Sequence, residues 1–405
     1  MNRKKLFLVV PKIIEQPTWG GDYILGLKKW RDKAPFPGLK IGQSYELFSG
    51  SFLRADIQSS ADPAFTGLLA YAADPDQTVY RGDKKALIPL GDLAARDPIA
   101  FLGARVAKRG SRGLNLLIKF TQAKDNSYQL HIGRKVKSKK WQAKPESWFY
   151  FKPGLVTLGL KAGIDVKKYQ QAASALDFAL RGLSRQARSG ILKLAEAKKR
   201  SAIFVKKYHP GRFVNKLKIK ESEVVDLSGG GLHHSWEDDP KRLPLGNIVY
   251  ELQFDVMDPV STIRSFDKGK FKPDGSLRPL DIADYFKYLN TDPDYNRPSS
   301  HIFRPKTVFS RPGLKISQLI ANPDYCLDKI TLKGEYAGEH ARTKQSFHHL
   351  FVQSGAVTII AGQEELALTA GHSAFIAAAA GAYRLSARTK TEILKSYIKQ
   401  AGLKI

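Results

Sequence analysis

The chain is poor in cysteine and lacks any long apolar segment. Its one cysteine, Cys326, cannot form an internal disulfide and favours a reducing, intracellular setting, so we expect a cytoplasmic protein. No apolar run approaches the roughly 20 residues that span a bilayer, and we expect no membrane partner. Residues 1–10 loosely imitate a signal peptide, but no small-residue cleavage site follows, which predicts a first β-strand instead.

Acidic side chains are scarce relative to basic ones. The chain has 66 Lys and Arg against 38 Asp and Glu, a formal net charge of +28. Such a field attracts phosphate. However, no zinc finger, RNP-type strand or low-complexity basic arm focuses the charge. We therefore expect no nucleic-acid partner and interpret the charge as a solvated basic surface.

What the chain has in abundance is short apolar runs separated by turn residues. It has 405 residues, of which 42% are hydrophobic and 33 are Gly, which is typical of a globular protein with two or three domains. The β-branched and aromatic runs predict a mostly β sandwich or jelly roll. Examples lie at residues 6–10, 42–47, 114–120, 128–132, 147–151 and 248–254.

Three segments break this pattern. Residues 91–108 predict a helix interrupted near Pro98, and residues 166–202 predict two helices divided near Gly182 or near Ser189 and Gly190. Residues 266–306 predict a polar loop with one short helix around 280–289. After Pro312 the strand pattern resumes, which predicts a second, smaller β-sandwich.

Four potential metal ligands lie within the strand-like part. Gln129 and His131 alternate along a predicted strand and therefore share a face, Glu146 begins a later strand, and His233 follows three glycines. One amide, two imidazoles and one carboxylate suit zinc or a similar divalent ion with an open position. The alternative is a wet pocket lined by Gln129 and His131, with Glu146 as a surface carboxylate.

Several short motifs, taken in their order along the chain, resemble those of the type I phosphomannose isomerases, which are zinc-dependent cupins. The resemblance rests on six segments, which are 15–21 (EQPTWGG), 42–46 (GQSYE), 117–120 (LIKF), 127–131 (SYQLH), 144–148 (KPESW) and 229–233 (GGGLH). It implies that Gln129, His131, Glu146 and His233 bind one zinc ion per chain. The implied reaction is the interconversion of mannose 6-phosphate and fructose 6-phosphate through an enediol(ate).

The resemblance also implies roles for residues around the ion. Lys144 lies two residues from Glu146 on the same strand face, and either Lys144 or a metal-bound water is expected to relay protons. Lys119 is expected to bind phosphate or sugar hydroxyls. Arg264 would stabilise developing negative charge, while Trp19 and Glu251 would contact substrate. The alternatives are surface lysines and, for Arg264, a structural ion pair.

The implied fold is two cupin jelly rolls with an α-helical insertion. We expect the catalytic cupin at residues 1–160 and 205–310, the helical insert at 161–204 and a C-terminal cupin at 311–405. The protein would be a monomer or a homodimer. His340, His348 and His349 form a second histidine group in the C-terminal part, which we interpret as a remnant pattern or surface histidines.

The sequence departs from the family pattern at several points. Ile132 and Gly133 replace the proline that usually follows the metal-binding histidine, Gln43 stands where glutamate is common, and residues 266–306 have no counterpart in the short bacterial pattern. None removes a ligand, but together they leave the sugar open. The alternatives are an isomerase or epimerase of another phosphorylated or nucleotide-linked sugar, and a non-catalytic sugar-sensing cupin.

Overall fold

The computed structural model describes residues 4–16, 19–66, 70–74, 77–80, 86–108, 113–228 and 231–398, with only the backbone described at 64, 66, 70–74, 77–80 and 231–235. In this part of the chain most regular structure is β, as predicted. The central layer is a sheet whose strands, in spatial order, are β17 (Ile302–Phe303), β13 (Val224–Asp226), β10 (Glu146–Tyr150), β15 (Asn247–Phe254), β8 (Leu116–Ala123), β3 (Ile41–Leu47), β2 (Lys12–Glu15), β5 (Ala70–Asp74) and β6 (Gln77–Tyr80).

A smaller sheet faces the central one and completes a jelly roll. Its strands, in spatial order, are β12 (Val214–Ile219), β11 (Gly154–Leu160), β14 (Gly231–Trp236), β9 (Tyr128–His131) and β16 (Ile263–Phe266). Between the two sheets lies an apolar cluster that includes Trp148, Tyr150, Val156 and Trp236. The pairing is antiparallel throughout this smaller sheet.

The third sheet belongs mainly to the C-terminal part of the chain. Its strands are β18 (Lys306–Arg311), β19 (Leu314–Ala321), β20 (Cys326–His340), β25 (Ala382–Tyr397), β21 (His348–Ser354), β24 (Ser373–Ile376), β1 (Leu6–Val10), β4 (Phe52–Arg54) and β7 (Ile88–Pro89), with β22 (Ala356–Ala361) and β23 (Glu364–Thr369) beside β25. The first strand of the chain therefore pairs with β24 and belongs to this sheet. The domain boundaries at 160, 204 and 310 stay predictions.

Strand alternation divides the central sheet between two cores. Ile118, Phe120 and Tyr250 belong to the large core shared with the C-terminal sheet, where the Phe120 and Phe351 ring centroids are 5.5 Å apart. Lys119 and Glu251, one residue away, face the jelly-roll interior. Strands β8 and β15 therefore present apolar side chains to the large core and carry Lys119 and Glu251 on the jelly-roll face.

The helices cover the outer surfaces. They are α1 (Tyr23–Lys28), α2 (Pro63–Thr66), α3 (Leu90–Arg96), α4 (Pro98–Phe101), α5 (Ala104–Ala107), α6 (Val166–Arg188), α7 (Leu194–Tyr208), α8 (Asp258–Ser261) and α9 (Ile282–Tyr288). The predicted break near Pro98, the division at Ser189 and Gly190, and the short helix near 282–288 are confirmed. Within the described residues no helix is long and apolar enough to cross a membrane.

Helix α6 begins and ends for identifiable reasons. The side chain of Asp165 accepts a hydrogen bond from the backbone N–H of Lys168 (3.1 Å) and caps the first turn. After Arg188 the chain turns at Gly190, whose positive φ of 78° favours glycine. Buried side chains of α6, such as Leu176, pack with Leu130 on the outer face of the smaller sheet.

Candidate metal and substrate site

Strand β9 directs two polar side chains into the jelly roll. Its outer face, Tyr128 and Leu130, packs in the apolar cluster beneath α6. Gln129 and His131 alternate with these residues and therefore face the interior, as the sequence predicts. Both are buried, with His131 only 1% exposed.

The position of His131 is fixed by both ring nitrogens. Nδ1 lies 2.6 Å from the backbone carbonyl oxygen of Ser261, which makes it the protonated nitrogen. Nε2 lies 3.1 Å from Oε2 of Glu146. Burial lowers the pKa of His131, so the ring is neutral and its Nε2 lone pair faces a carboxylate oxygen. Two such acceptors remain close only when a proton or a cation lies beside both.

Glu146 is held by a second strand. It starts β10 in the central sheet, and its Oε1 accepts a hydrogen bond from Nε1 of Trp148 at 2.6 Å. Nζ of Lys144 lies 3.8 Å from Oε2 of Glu146. The indole therefore fixes one carboxylate oxygen, and the other points at His131.

The other two predicted ligands lie on adjacent strands. Nε2 of Gln129 donates to Oδ1 of Asn126 (3.1 Å) and to Oγ of Ser127 (3.0 Å), so the carbonyl oxygen of the amide takes no part in these bonds. The register of β14 with β9 places the backbone of His233 opposite Gln129. The side chain of His233 lies outside the described residues, as do that of neighbouring His234 and the whole of Gly229 and Gly230.

A buried ion pair lies on the two central-sheet strands that follow β10 in spatial order, β15 and β8. Lys119 and Glu251 are register partners on β8 and β15, and Nζ of Lys119 is 3.0 Å from Oε1 of Glu251. Oγ1 of Thr121 donates to the other oxygen of Glu251 at 3.2 Å. Burial and the carboxylate of Glu146 raise the pKa of Glu251 to about 8, against the opposing effect of Lys119.

Lys119 itself stays positively charged. Burial alone would lower the pKa of Lys119, but the carboxylates of Glu251 and Glu146 outweigh this effect and raise the pKa above its usual value. The ring of Tyr45, the register partner of Lys119 on β3, lies 6.0 Å from Nζ. Because it is held in its charged form, Lys119 is suited to bind an anion and unsuited to accept a proton.

Asp258 joins the two remaining candidates at the mouth of the site. Its Oδ1 accepts from Nζ of Lys144 at 3.1 Å, and its Oδ2 accepts from Nη2 of Arg264 at 3.1 Å. The Lys144 ammonium and, to a smaller extent, the Arg264 guanidinium hold the pKa of Asp258 well below its usual range. The Asp258 side chain is 58% exposed, whereas those of Lys144 and Arg264 are 5% and 14% exposed. One carboxylate thus positions two cations at the boundary between the buried site and solvent.

Trp19 is partly buried and packs against the apolar cluster of the jelly roll, which contains Trp148 and Trp236. A Cβ on Gly42 would lie 2.5 Å from the Trp19 ring, so the chain requires glycine there for the indole to fit. Its substrate role stays a prediction.

Sequence reasoning missed Asp258, Tyr45 and the carbonyl of Ser261. Tyr45 could have been found by alternation, because it lies one residue from Glu46 in a recognised motif strand. Asp258 and Ser261 belong to the single-turn helix α8, which carries no periodic signal.

The second histidine group does not converge. Nδ1 of His348 lies 2.7 Å from the hydroxyl of Tyr383, while His349, the next residue of β21, faces Tyr250 across the large core at 3.3 Å. His340 bonds the carbonyl of its neighbour Ala341 through Nδ1 (2.9 Å). Consecutive strand residues point to opposite faces, which separates His348 from His349.

Several solved structures share this fold over nearly the whole chain. A mannose 6-phosphate isomerase from Bacillus subtilis superimposes with a TM-score of 0.64 at 14% identity, covering 97% of this chain and all of that one. A zinc-bound mannose 6-phosphate isomerase gives 0.63 at 16% identity, covering 98% and 100%. A mutant of phosphomannose isomerase from Salmonella typhimurium gives 0.63 at 14%, also covering 98% and 100%.

The likeness is carried by structure and not by sequence. The sequence matches no protein-family model and no curated protein. At 14–16% identity the superpositions establish a shared fold. The predicted fold class is confirmed.

Proposed function

We propose that this chain is a metal-dependent aldose–ketose isomerase that interconverts mannose 6-phosphate and fructose 6-phosphate. One observation carries the proposal, which is the contact of 3.1 Å between Nε2 of neutral His131 and Oε2 of Glu146 inside the jelly roll. This pair lies beside Lys144 and Arg264, which are both hydrogen-bonded to Asp258. Lys144 would carry the proton, and Arg264 would be the fixed cation. The shared fold agrees with the proposal.

The donor set fits a zinc ion. Gln129, His131, Glu146 and His233 would hold it, through an amide oxygen, two imidazoles and a carboxylate. The second nitrogen of His131 is already bonded to a backbone carbonyl, which is the usual support of a metal-binding histidine. When bound, the ion would polarise the sugar carbonyl and bind its neighbouring hydroxyl.

The charges around the site favour a doubly charged substrate. Lys119, Lys144 and Arg264 share the site with the carboxyl groups of Glu146, Glu251 and Asp258, and the raised pKa of Glu251 reduces its negative charge near neutral pH. A divalent ion would therefore leave the site net positive, which suits the doubly charged phosphate of a sugar phosphate. The basic surface would attract the same substrate over a longer range.

The chemistry requires one proton to move between adjacent carbons. A base removes the proton from C2 of mannose 6-phosphate to give a cis-enediol(ate), the hydroxyl proton passes from O2 to O1, and the carbon-bound proton returns to C1 to give the ketose. Lys144 is the side chain proposed for this transfer, since it reaches Asp258 at the mouth of the site and approaches Glu146 inside. Arg264 stabilises the negative charge of the intermediate, and Lys119, permanently charged, holds a hydroxyl or phosphate oxygen.

A coupled assay on mannose 6-phosphate tests the proposal, with chelator treatment followed by zinc re-addition. We expect activity in the wild type to fall on chelation and to return with zinc. His131→Ala should lose both activity and bound zinc measured by atomic emission, while the exposed His340→Ala keeps both. Turnover that is unaffected by chelation, or by His131→Ala, would refute the metal site.

The choice of sugar is tested separately. A panel of aldose and ketose phosphates should give the highest kcat/KM for mannose 6-phosphate. Bound zinc without turnover of mannose 6-phosphate would retain the metal site and reject this substrate. Size-exclusion chromatography with light scattering would decide between the monomer and the homodimer.

A further inference from the structure

The helical hairpin formed by α6 and α7 concentrates positive charge on the surface. Between residues 166 and 208 the sequence has eleven Lys and Arg and two acidic residues. Both acidic residues are already paired within their own helix, Asp177 with Arg181 at 2.7 Å and Glu196 with Arg200 at 2.9 Å. The hairpin therefore has no acidic side chain of its own left for its other nine cations, of which Lys168 lies 3.8 Å from Asp165 just before α6.

Three large apolar side chains project from the same hairpin. Phe178 on α6 is 74% exposed, Ile191 in the connecting turn is 79% exposed and Ile203 on α7 is 65% exposed. Most of the surface of each side chain stays exposed after folding and is available to a partner. On α6, Phe178 belongs to an exposed stripe spaced by three or four residues, which comprises residues 171, 174, 178, 181, 185 and 188.

Both helices rest on the same underlying loop. Oγ of Ser184 on α6 donates to the carbonyl of Gly275 at 2.7 Å, and Oγ of Ser201 on α7 donates to the carbonyl of Gly269 at 3.0 Å. The buried serines of both helices therefore face residues 269–275, and the exposed α6 stripe and Ile203 of α7 lie on the sides of their helices away from the buried faces. Along α6 this stripe extends about 26 Å from residue 171 to residue 188, at 1.5 Å per residue.

From this arrangement we infer that the outer face of the hairpin binds the surface of an anionic phospholipid bilayer. Phe178, Ile191 and Ile203 enter the boundary between headgroups and acyl chains, and the surrounding Lys and Arg side chains contact lipid phosphates. The hairpin lies on the bilayer and does not cross it.

The apolar residues favour lipid over nucleic acid. Single-stranded nucleic acids are bound by stacking bases on aromatic rings and by contacts to phosphate. Phe178 could take part in stacking, but Ile191 and Ile203 present no flat ring to a base. A bilayer boundary accepts all three side chains, and its phosphates match the basic residues beside them.

Vesicle co-sedimentation tests the inference on the full-length protein. The vesicles are phosphatidylcholine alone or with about 30% phosphatidylglycerol. We expect binding to the anionic vesicles only, weakened by salt at about 0.5 M. Three variants are compared with the wild type. The apolar variant combines Phe178→Ser and Ile203→Ser, and the arginine variant combines Arg181→Gln, Arg185→Gln and Arg188→Gln. The control variant combines Lys333→Gln, Arg388→Gln and Lys390→Gln on the C-terminal sheet.

The variants separate the apolar from the electrostatic contribution. We expect the arginine variant to lose about 100-fold in vesicle affinity and the apolar variant about tenfold, while the control variant binds like the wild type. All substituted side chains are exposed, so circular dichroism and thermal unfolding should change little.

Three outcomes would overturn the inference. Equal loss in the control and arginine variants would mean that net charge alone drives binding. If the apolar variant binds vesicles like the wild type, insertion of Phe178 and Ile203 into the bilayer is refuted. If the protein in addition binds a labelled single-stranded RNA more tightly than anionic vesicles, the surface is a nucleic-acid platform instead.

Discussion

His349 and His372 should make the protein sensitive to acid. Both are buried, at 0% and 4% exposure, and burial lowers the pKa of each to about 3. The cation of Lys28 acts in the same direction on both. Both histidines remain neutral in the folded protein at pH values where the unfolded chain, with a pKa of about 6.5, takes up a proton.

The sign and size of the effect follow from linkage. A lowered folded-state pKa contributes stability above the unfolded pKa, and this stability is lost as the pH falls toward the folded value. Between about pH 7.5 and pH 5, each histidine should remove about 2 kcal/mol from the free energy of unfolding. Together they remove about 4 kcal/mol, a large part of a typical stability of about 5–15 kcal/mol.

Urea unfolding followed by tryptophan fluorescence measures this effect in the metal-free protein. The wild type is compared with His349→Gln across the same pH range. Glu251, with its raised pKa, acts in the opposite direction, but subtracting the two pH profiles removes its contribution. The profile of His349→Gln should be about 2 kcal/mol shallower than that of the wild type.

A neighbouring substitution controls for loss of packing. Phe351→Leu on the same strand lies in the same core and should lower stability equally at every pH, because it adds no titratable group. If the profile of His349→Gln is as steep as that of the wild type, the neutral buried state of His349 is refuted.

Three further substitutions test single contacts. Lys119→Met should lower the free energy of unfolding by about 3–5 kcal/mol, because it leaves Glu251 buried without its cation. Adding Glu251→Leu should recover most of this loss. A loss under about 1 kcal/mol would contradict the ion pair. Asp258→Asn should lower kcat about tenfold in the coupled assay, because the carboxylate orients Lys144 and Arg264. The free energy of urea unfolding should change by less than about 1 kcal/mol, because the carboxylate is exposed and adds little stability. An unchanged kcat would reject this role. Gly190→Ala should cost about 1 kcal/mol in thermal unfolding through its positive φ, with vesicle binding and turnover unchanged.

Local patterns were sufficient for features that repeat along the chain. Alternation placed Gln129 and His131 on one face, and the helical periodicity of 166–202 gave two helices with a division near Gly182 or near Ser189 and Gly190, of which the structure has the second. These features depend on neighbours in sequence, so a short window contains the information needed. The ion pairs of the site depend instead on which strands become neighbours.

Long-range register could not be read from any window. Lys119 meets Glu251 only because β8 pairs with β15 in one particular register, and a shift by one residue would turn Lys119 toward the apolar core. In the same way, β1 reaches β24 across most of the chain. Asp258 meets Lys144 because a single-turn helix lies beside the start of β10, a contact that neither segment predicts.

The C-terminal sheet also contributes to the site, although its histidines do not converge. The residues of β10 that alternate with Glu146 and Trp148 face that sheet. Ser147 lies 3.0 Å from the hydroxyl of Tyr325, and Lys329 lies 5.8 Å from the ring of Phe149. Because a strand is a rigid ribbon with two faces, contacts on one face fix the angle of the side chains on the other. The C-terminal sheet supplies none of the proposed ligands, but its contacts with β10 help to fix the position of Glu146 relative to His131.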